Sequence, residues 1–411
     1  MAQTGNKTMP PARRPFQSRR KVLYYKRGMV VIKQERRIHM EYRELGRTGY
    51  RVSRLGFGAM RLPMIGDGEK AHVDREKAIP MIHRAFDLGI NYIDTARGYC
   101  NEDSQRAVGE ALEGRRNGIV VSTKNPYFGK DEKVWWTNLE NSLKRLRVDA
   151  IDIYNFHGIS WKIFTEDIEP RVGAWMQKAY DQGLVRHICM SFHDTVESLV
   201  KLVDTGRFES VTLQYNLIDR RLEDGIAHAR EKGLGVVVMG PVGGGRLAEP
   251  SGILGTMVDG RARVPELALR FVLANPDVTV ALSGMSEIRH VEENVAIAED
   301  TAVLSKSELD EMDGHLVSLK KMADLYCTGC GYCMPCPQGV NIPRIFQLYN
   351  QVRVYDIRET SREAYGQIGR VEWEPGKPAD SCVECGQCEP QCPQNIPIIR
   401  QLAEAHRILT E

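Results

Sequence analysis

Residues 119–154 read IVVSTKNPYFGKDEKVWWTNLENSLKRLRVDAIDIY. A β-branched run, Ile119-Val120-Val121-Ser122, gives way to polar Lys124 and Asn125 and then to a turn. Lys133 to Leu146 follows with the apolar spacing of an amphipathic helix, and Ile151-Asp152-Ile153-Tyr154 opens the next strand. The same unit recurs from Arg54 onward. Its strands are Leu55–Gly58, Tyr92–Asp94, 119–122, 151–154, His187–Met190, Val211–Leu213, Gly235–Val238 and Thr279–Leu282, and Lys77 to Leu88 and Val196 to Val203 are further helices. Eight alternations, with strands apolar enough to be buried on both faces, predict an α/β fold: a closed (β/α)8 TIM barrel rather than an open sheet. The units share no motif, so the repetition belongs to the architecture and not to a solenoid.

A barrel of this kind gathers its chemistry where the strands end. Polar residues cluster there: Asp94 to Tyr99, Lys124 with Asn125, His157, Ser191 with His193, Gln214 with Asn216, and Pro241 to Gly245. Hydride delivery to a carbonyl builds negative charge on oxygen, which calls for a proton donor and for groups that stabilise the oxyanion. Asp94, Tyr99, Lys124 and His157 supply such a set. A phenol is a sluggish acid at neutral pH, and an adjacent ammonium makes it a stronger one. Lys124 is the ammonium, Asp94 its anchor, and His157 a hydrogen-bonding group for the substrate oxygen. Any one of these taken singly reads as ordinary packing.

Together the residues resemble the aldo-keto reductase superfamily. Asp94-Thr95-Ala96-Arg97-Gly98-Tyr99 is similar to its Asp-Thr-Ala-x-x-Tyr signature, Ser122-Thr123-Lys124 to its lysine strand, and Asp152 to His157 to its histidine strand. Ala107 to Leu112 and Gly183 to Ile188 also match, and the likeness runs from about Tyr42 to Asn294. The resemblance implies that Tyr99 is the acid, tuned by Lys124, with Asp94 holding the lysine and His157 directing a small-molecule carbonyl substrate. It implies an NADPH or NADH site too. Ser191 and Gln214 stand at the carboxamide, Pro241, Gly243 and Gly244 around the pyrophosphate, and Ser283, Gly284, Met285, Arg289, Glu293 and Asn294 at the adenosine phosphate. Glycine suits close approach of backbone to phosphate. Gly284 and His290 replace a lysine and an arginine common in NADPH-dependent members, so both nucleotides stay open, with Arg289 the residue able to read a 2′-phosphate.

Eight of the ten cysteines follow residue 326. Cys327, Cys330, Cys333 and Cys336 read C-x2-C-x2-C-x2-C-P, and Cys382, Cys385, Cys388 and Cys392 read C-x2-C-x2-C-x3-C-P, the bacterial ferredoxin spacing. Zinc sites seldom use such triplets, and disulfides do not suit an intracellular enzyme. The pair predicts two [4Fe-4S] clusters. In two-cluster ferredoxins the fourth cysteine serves the other cluster, which gives one cluster Cys327, Cys330, Cys333 and Cys392, and the other Cys382, Cys385, Cys388 and Cys336. The long intervening segment, helical at Pro343 to Val354, resembles the α-helical ferredoxins fused to one branch of the aldo-keto reductases. Cys100 and Cys189 read as small buried hydrophobes, although the position of Cys100 beside Tyr99 leaves a reactive thiol open.

The expected domains are a basic, disordered extension at 1–39, a barrel at 40–304, a linker helix at 305–325 and a mostly α-helical ferredoxin-like domain at 326–411. Apolar residues make up 42% of the chain and charged residues 27%, the composition of an ordinary globular protein. The first 39 residues carry eleven Lys or Arg against Glu35 alone, while the rest of the chain is net acidic. That extension also reads as an over-long start before Met40. Ser18 to Leu23 has a twin-arginine look, but Lys33 interrupts the apolar run Met29 to Ile32 before it reaches the length of a signal core. No nucleic-acid partner and no membrane span are expected, and the location is cytoplasmic. Two functions fit: a reductase of an aldehyde, ketone or quinone-like carbonyl whose clusters exchange electrons with a partner such as a ferredoxin, or a redox-sensing or electron-carrying interaction protein that binds nucleotide without turnover. A purely structural role for the clusters, folding a small domain with few apolar residues of its own, is the alternative to electron exchange.

Overall fold

Parallel strands buried on both faces are stable only when a sheet is covered or closed, and here it closes. In the computed structural model β1 (Leu55–Gly58), β2 (Tyr92–Asp94), β3 (Val120–Asn125), β4 (Ile151–Ile159), β5 (Val185–Phe192), β6 (Ser210–Gln214), β7 (Gly235–Met239) and β8 (Val280–Gly284) each pair in parallel with the next, and β8 returns to β1. The structure describes residues 22–26, 29–33, 40–66, 68–248, 263–300, 304–322, 327, 331–392 and 395–411. It divides into two units, 1–39 and 40–411.

The first unit contains an antiparallel hairpin of Val22–Lys26 and Met29–Lys33. That hairpin departs from the disordered extension expected there, since Val30, Val31 and Ile32 favour extended backbone. The other residues of that segment lie outside the described set.

In the second unit each barrel strand is followed by a helix: α1 (Arg75–Asp87), α2 (Ser104–Leu112), α3 (Glu132–Leu146), α4 (Gly173–Asp181), α5 (Val196–Asp204), α6 (Glu223–Glu231), α7 (Val264–Ala274) and α8 (Ile288–Glu299). Side chains in the loops set where these helices begin. Asp74 accepts from Lys77 N, Asp131 from Lys133 N and Thr195 from Ser198 N, satisfying amides that would otherwise lack partners. An antiparallel hairpin, Tyr42–Glu44 with Arg51–Ser53, brings Leu45 and Val52 into one apolar cluster with Tyr92, Ile153, Val237 and Val280 of the strands. β4 outruns the four residues expected of it. Its register shifts between Phe156 and Ile159, and Gly158 at φ +72° lets the strand continue past His157.

The chain then forms α9 (Lys306–Met322), α10 (Ile342–Tyr355), α11 (Glu359–Gln367) and α12 (Ile398–Thr410). This region has an apolar core of its own, including Val340, Ile345, Phe346, Tyr349 and Leu402, against which Cys333, Cys336, Cys382 and Cys388 pack. The expectation of few apolar residues is thereby corrected: helical spacing within α10 and α12 collects them on facing sides. Val354, Tyr355 and Ile357, at the end of α10 and just beyond, are buried in the barrel's own core, and α11 lies against the Gly243–Ala248 turn that follows β7. Among the described residues no helix is long and apolar enough to cross a membrane.

Candidate active site

Asp94 and Lys124 stand at the ends of neighbouring strands, and each is no more than 2% exposed. Buried charges persist only when paired. Lys124 Nζ donates to Asp94 Oδ1 at 2.5 Å and to the Thr95 carbonyl at 3.0 Å, while Ser122 Oγ donates to Asp94 Oδ2 at 2.7 Å. Burial works against the ammonium, but the carboxylate of Asp94 and the neighbouring Tyr99 hydroxyl outweigh it, and the Lys124 pKa is raised. Its Nζ lies 4.9 Å from the centroid of the Tyr99 ring. The His157 ring stands edge-on to Tyr99, centroids 6.3 Å apart. Burial, then the Lys124 charge and His193, push the His157 pKa down to about 3, so its imidazole is neutral at physiological pH. The four predicted catalytic residues therefore meet at one end of the barrel.

Sequence reading missed how Tyr99 is held. Cys100, Asn101 and Glu102 are all left-handed, with φ of 52°, 52° and 63°. Such strain persists only where neighbours over-determine it. Asn101 Nδ2 donates to the carbonyls of Gly68 and Ala71, both at 3.0 Å, and Glu102 pairs with Arg145 at 2.9 Å. Asp103 accepts from Val73 N at 2.9 Å and pairs with Arg75. Asn at 101 is the one local clue, since its short polar side chain tolerates this backbone. Cys100 is half-buried with its thiol toward the carbonyls of Ala59 and Met60, and burial raises its pKa, which disfavours a reactive thiolate. Cys189 is fully buried among the strands, its thiol pushed up to about 12.

The residues expected around the nucleotide divide into groups. Ser191 Oγ accepts from Gly158 N at 2.8 Å and so holds the bulge that carries His157. His193, two residues on, comes close to Gly158: a methyl group there would stand 3.7 Å from its ring. Confinement among the loops and the Lys124 charge lower its pKa as well. Gln214 abuts Gly240. Pro241 is buried, and Gly243 and Gly244 have φ of 61° and 69°. Asn294 Nδ2 donates to Ser283 Oγ at 3.1 Å. Met285 is buried in the core, leaving only its backbone available. Glu293 pairs with Arg263 at 3.1 Å, and Arg289 is 68% exposed, 3.8 Å from Glu287. Arg61 escaped sequence reading. It follows β1, donates to the Gly244 carbonyl at 2.6 Å, and lies alongside Gly284, joining the two loops on which phosphates are expected.

The cysteines give a second site. A cavity of about 290 Å³ is lined by five cysteines, Cys333 and Cys336 of the first motif with Cys382, Cys385 and Cys388 of the second. Cysteines of both motifs thus share one cavity, while no three His, Cys, Asp or Glu side chains among the described residues stand close enough together to hold a metal ion as they are placed. Gly386, at φ +75°, supplies the left-handed turn between Cys385 and Cys388. Cys327 and Cys392 pack against the same small core, and Cys330 lies outside the described residues.

Two family models match the chain: Aldo/keto reductase family over residues 54–317, and 4Fe-4S dicluster domain over residues 326–396. An uncharacterized oxidoreductase, YqkF, of Bacillus subtilis is 27% identical over 67% of this chain and 96% of its own length. L-galactose dehydrogenase of Arabidopsis thaliana is 28% identical over 69% of this chain and 96% of its own. The solved holo form of an aldo-keto reductase from Bacillus halodurans is 28% identical, with a TM-score of 0.59 over 67% of this chain and 96% of that one.

Proposed function

Because the chain belongs to the aldo/keto reductase family of oxidoreductases and carries a C-terminal 4Fe-4S dicluster domain, we propose that it reduces an aldehyde, ketone or quinone-like carbonyl by hydride transfer from NAD(P)H. The observation that carries this reading is the meeting of Tyr99 with a buried Lys124–Asp94 pair and with neutral His157. Bound nicotinamide supplies the hydride. Tyr99 gives its phenolic proton to the carbonyl oxygen, completing the alcohol. The Lys124 ammonium stabilises the negative charge left on Tyr99, and Asp94 keeps that ammonium in place. Neutral His157 hydrogen-bonds the substrate oxygen and fixes its direction.

Pro241, Gly243, Gly244 and Arg61 are the groups for the pyrophosphate, with Ser283, Asn294 and Arg289 toward the adenosine phosphate. Exposed Cys385 at the rim of the thiol cavity and a domain with its own apolar core favour a second element of the reading: the clusters exchange electrons with an external partner such as a ferredoxin, in the reducing cytoplasm.

Tyr99→Phe is the test. Carbonyl reduction should fall by about a hundred-fold to ten-thousand-fold, the range that acid catalysis contributes, while nucleotide affinity changes less than a few-fold. Undiminished turnover on a carbonyl panel, in anaerobically purified protein, would overturn the assignment. Nucleotide binding with no turnover in the wild type would favour an interaction protein instead.

A further inference from the structure

The glycine turn after β7 does not stand alone. α11 lies against Gly243–Ala248, and α11 belongs to the cluster-binding region. Its N-terminal end is fixed to the barrel: Ile357 is buried in the barrel core, and the buried Ser361 Oγ donates to the Ile357 carbonyl at 2.8 Å. Its C-terminal end is tied to the backbone of the segment that carries Cys382. Tyr365, 4% exposed, accepts from Ala379 N at 3.0 Å and shares a 2.7 Å hydrogen bond with His406 Nδ1 of α12. The Ala379 carbonyl accepts from Cys382 N at 3.0 Å, and Cys382 lines the thiol cavity. Hydrogen bonds thus run from the segment of Cys382, at the thiol cavity, through Tyr365 to α11, and α11 in turn lies alongside the glycine turn.

The geometry points to a nucleotide site built from both domains: α11 is the brace of the glycine turn, and the cluster at Cys336, Cys382, Cys385 and Cys388 holds that brace through Tyr365. This rests on the reading that Gly243 and Gly244 wrap the pyrophosphate. Gly240, Gly243 and Gly244 all have positive φ, so an unbraced turn has wide conformational freedom to lose when a ligand binds. A brace removes that loss in advance. Cluster binding and the local fold are coupled, because thiolates that converge only in the folded domain gain it stability when iron binds. Nucleotide affinity then depends on iron, and, because coupling between sites is reciprocal, iron retention depends on nucleotide.

The full chain, purified anaerobically, is titrated with NADPH and with NADH by nicotinamide fluorescence, before and after iron is removed by a chelator, and again as Tyr365→Phe. Iron removal should raise the Kd about ten-fold, within the usual range of site-to-site coupling. Tyr365→Phe should raise it several-fold while iron content and cluster absorbance stay at the wild-type level. Saturating nucleotide should slow iron loss to the chelator. Equal Kd values in loaded, stripped and Tyr365→Phe protein would overturn the two-domain site. A rise on stripping without one in Tyr365→Phe would overturn the path through Tyr365. Failure of either nucleotide to bind any form would sink the underlying nucleotide reading, an outcome distinct from equal affinities.

Discussion

Lys124 is a full positive charge in a place where water cannot reach it, and Asp94 is what makes that tolerable. Removing one partner of such a pair leaves the other uncompensated, at a cost of about 3–5 kcal/mol. Asp94→Ala should therefore lower unfolding stability by that order in urea titration and lose most of its activity, whereas Asp94→Asn, which keeps a hydrogen-bond acceptor for Lys124, should lose less stability. His157 answers to pH. Its folded pKa of about 3 lies below the ordinary value of 6.5, so the unfolded chain takes up a proton first as the solution is acidified. The stability tied to neutral His157 is complete above about pH 6.5 and is lost as pH falls toward about 3. The difference in Tm between wild type and His157→Phe should be constant above pH 6.5 and should change only below it. No acid limb near 6.5 from this residue should appear in the rate profile. The positions of these residues were legible in the sequence because each lies in the C-terminal part of a strand. The partners of Ser191 and the reach of Arg61 were not, since they depend on loops that meet only in the closed barrel.

Among the elements, the loop from Tyr99 to Asp103 departs furthest from what local sequence dictates. Three left-handed residues without a glycine are costly, and the loop keeps them through contacts contributed by residues 68–75 and by α3. Asn101→Ala deletes two hydrogen bonds and a side chain suited to this backbone. It should cost roughly 1–3 kcal/mol, and turnover should drop on the order of ten-fold through misplacement of Tyr99, with the Kd for nucleotide unchanged. A fall in kcat without that change of Kd, seen in steady-state rates and fluorescence titration, separates positioning from general loss of fold. Strand and helix positions were readable from apolar period alone. The bulge at His157-Gly158 was not, because a register shift is set by the neighbouring strand. Arg61→Ala tests the bridge between the β1 and β7 loops: NADPH should bind several-fold more weakly, and binding should lose part of its dependence on salt, since an exposed cation near phosphate acts through a screened field.

At the scale of the whole molecule, the two cysteine motifs announced their chemistry by spacing, while the docking of α10 and α11 on the barrel left no trace in the sequence, because contacts between distant segments have no local period. That docking bears on what the clusters do. A [4Fe-4S] centre passes one electron at a time and nicotinamide passes a hydride, so direct exchange between them normally needs a flavin or a radical-tolerant substrate as intermediary. The two family models that match the chain are those of the barrel and of the dicluster domain. The thiol cavity also opens outward, with Cys385 exposed and the apolar side chains Tyr332 and Val383 at 67% and 60% exposure on its rim. That placement favours the proposed exchange with an external partner. Dithionite should reduce the clusters reversibly, with paramagnetic signals from both, and a viologen dye or a ferredoxin should support or accept turnover. Cys385→Ala should abolish the dye-linked reaction while the barrel still binds nucleotide at raised concentration. If NAD(P)H-linked reduction runs at full rate in that variant and no dye couples to the wild type, the clusters serve the fold alone and carry no current.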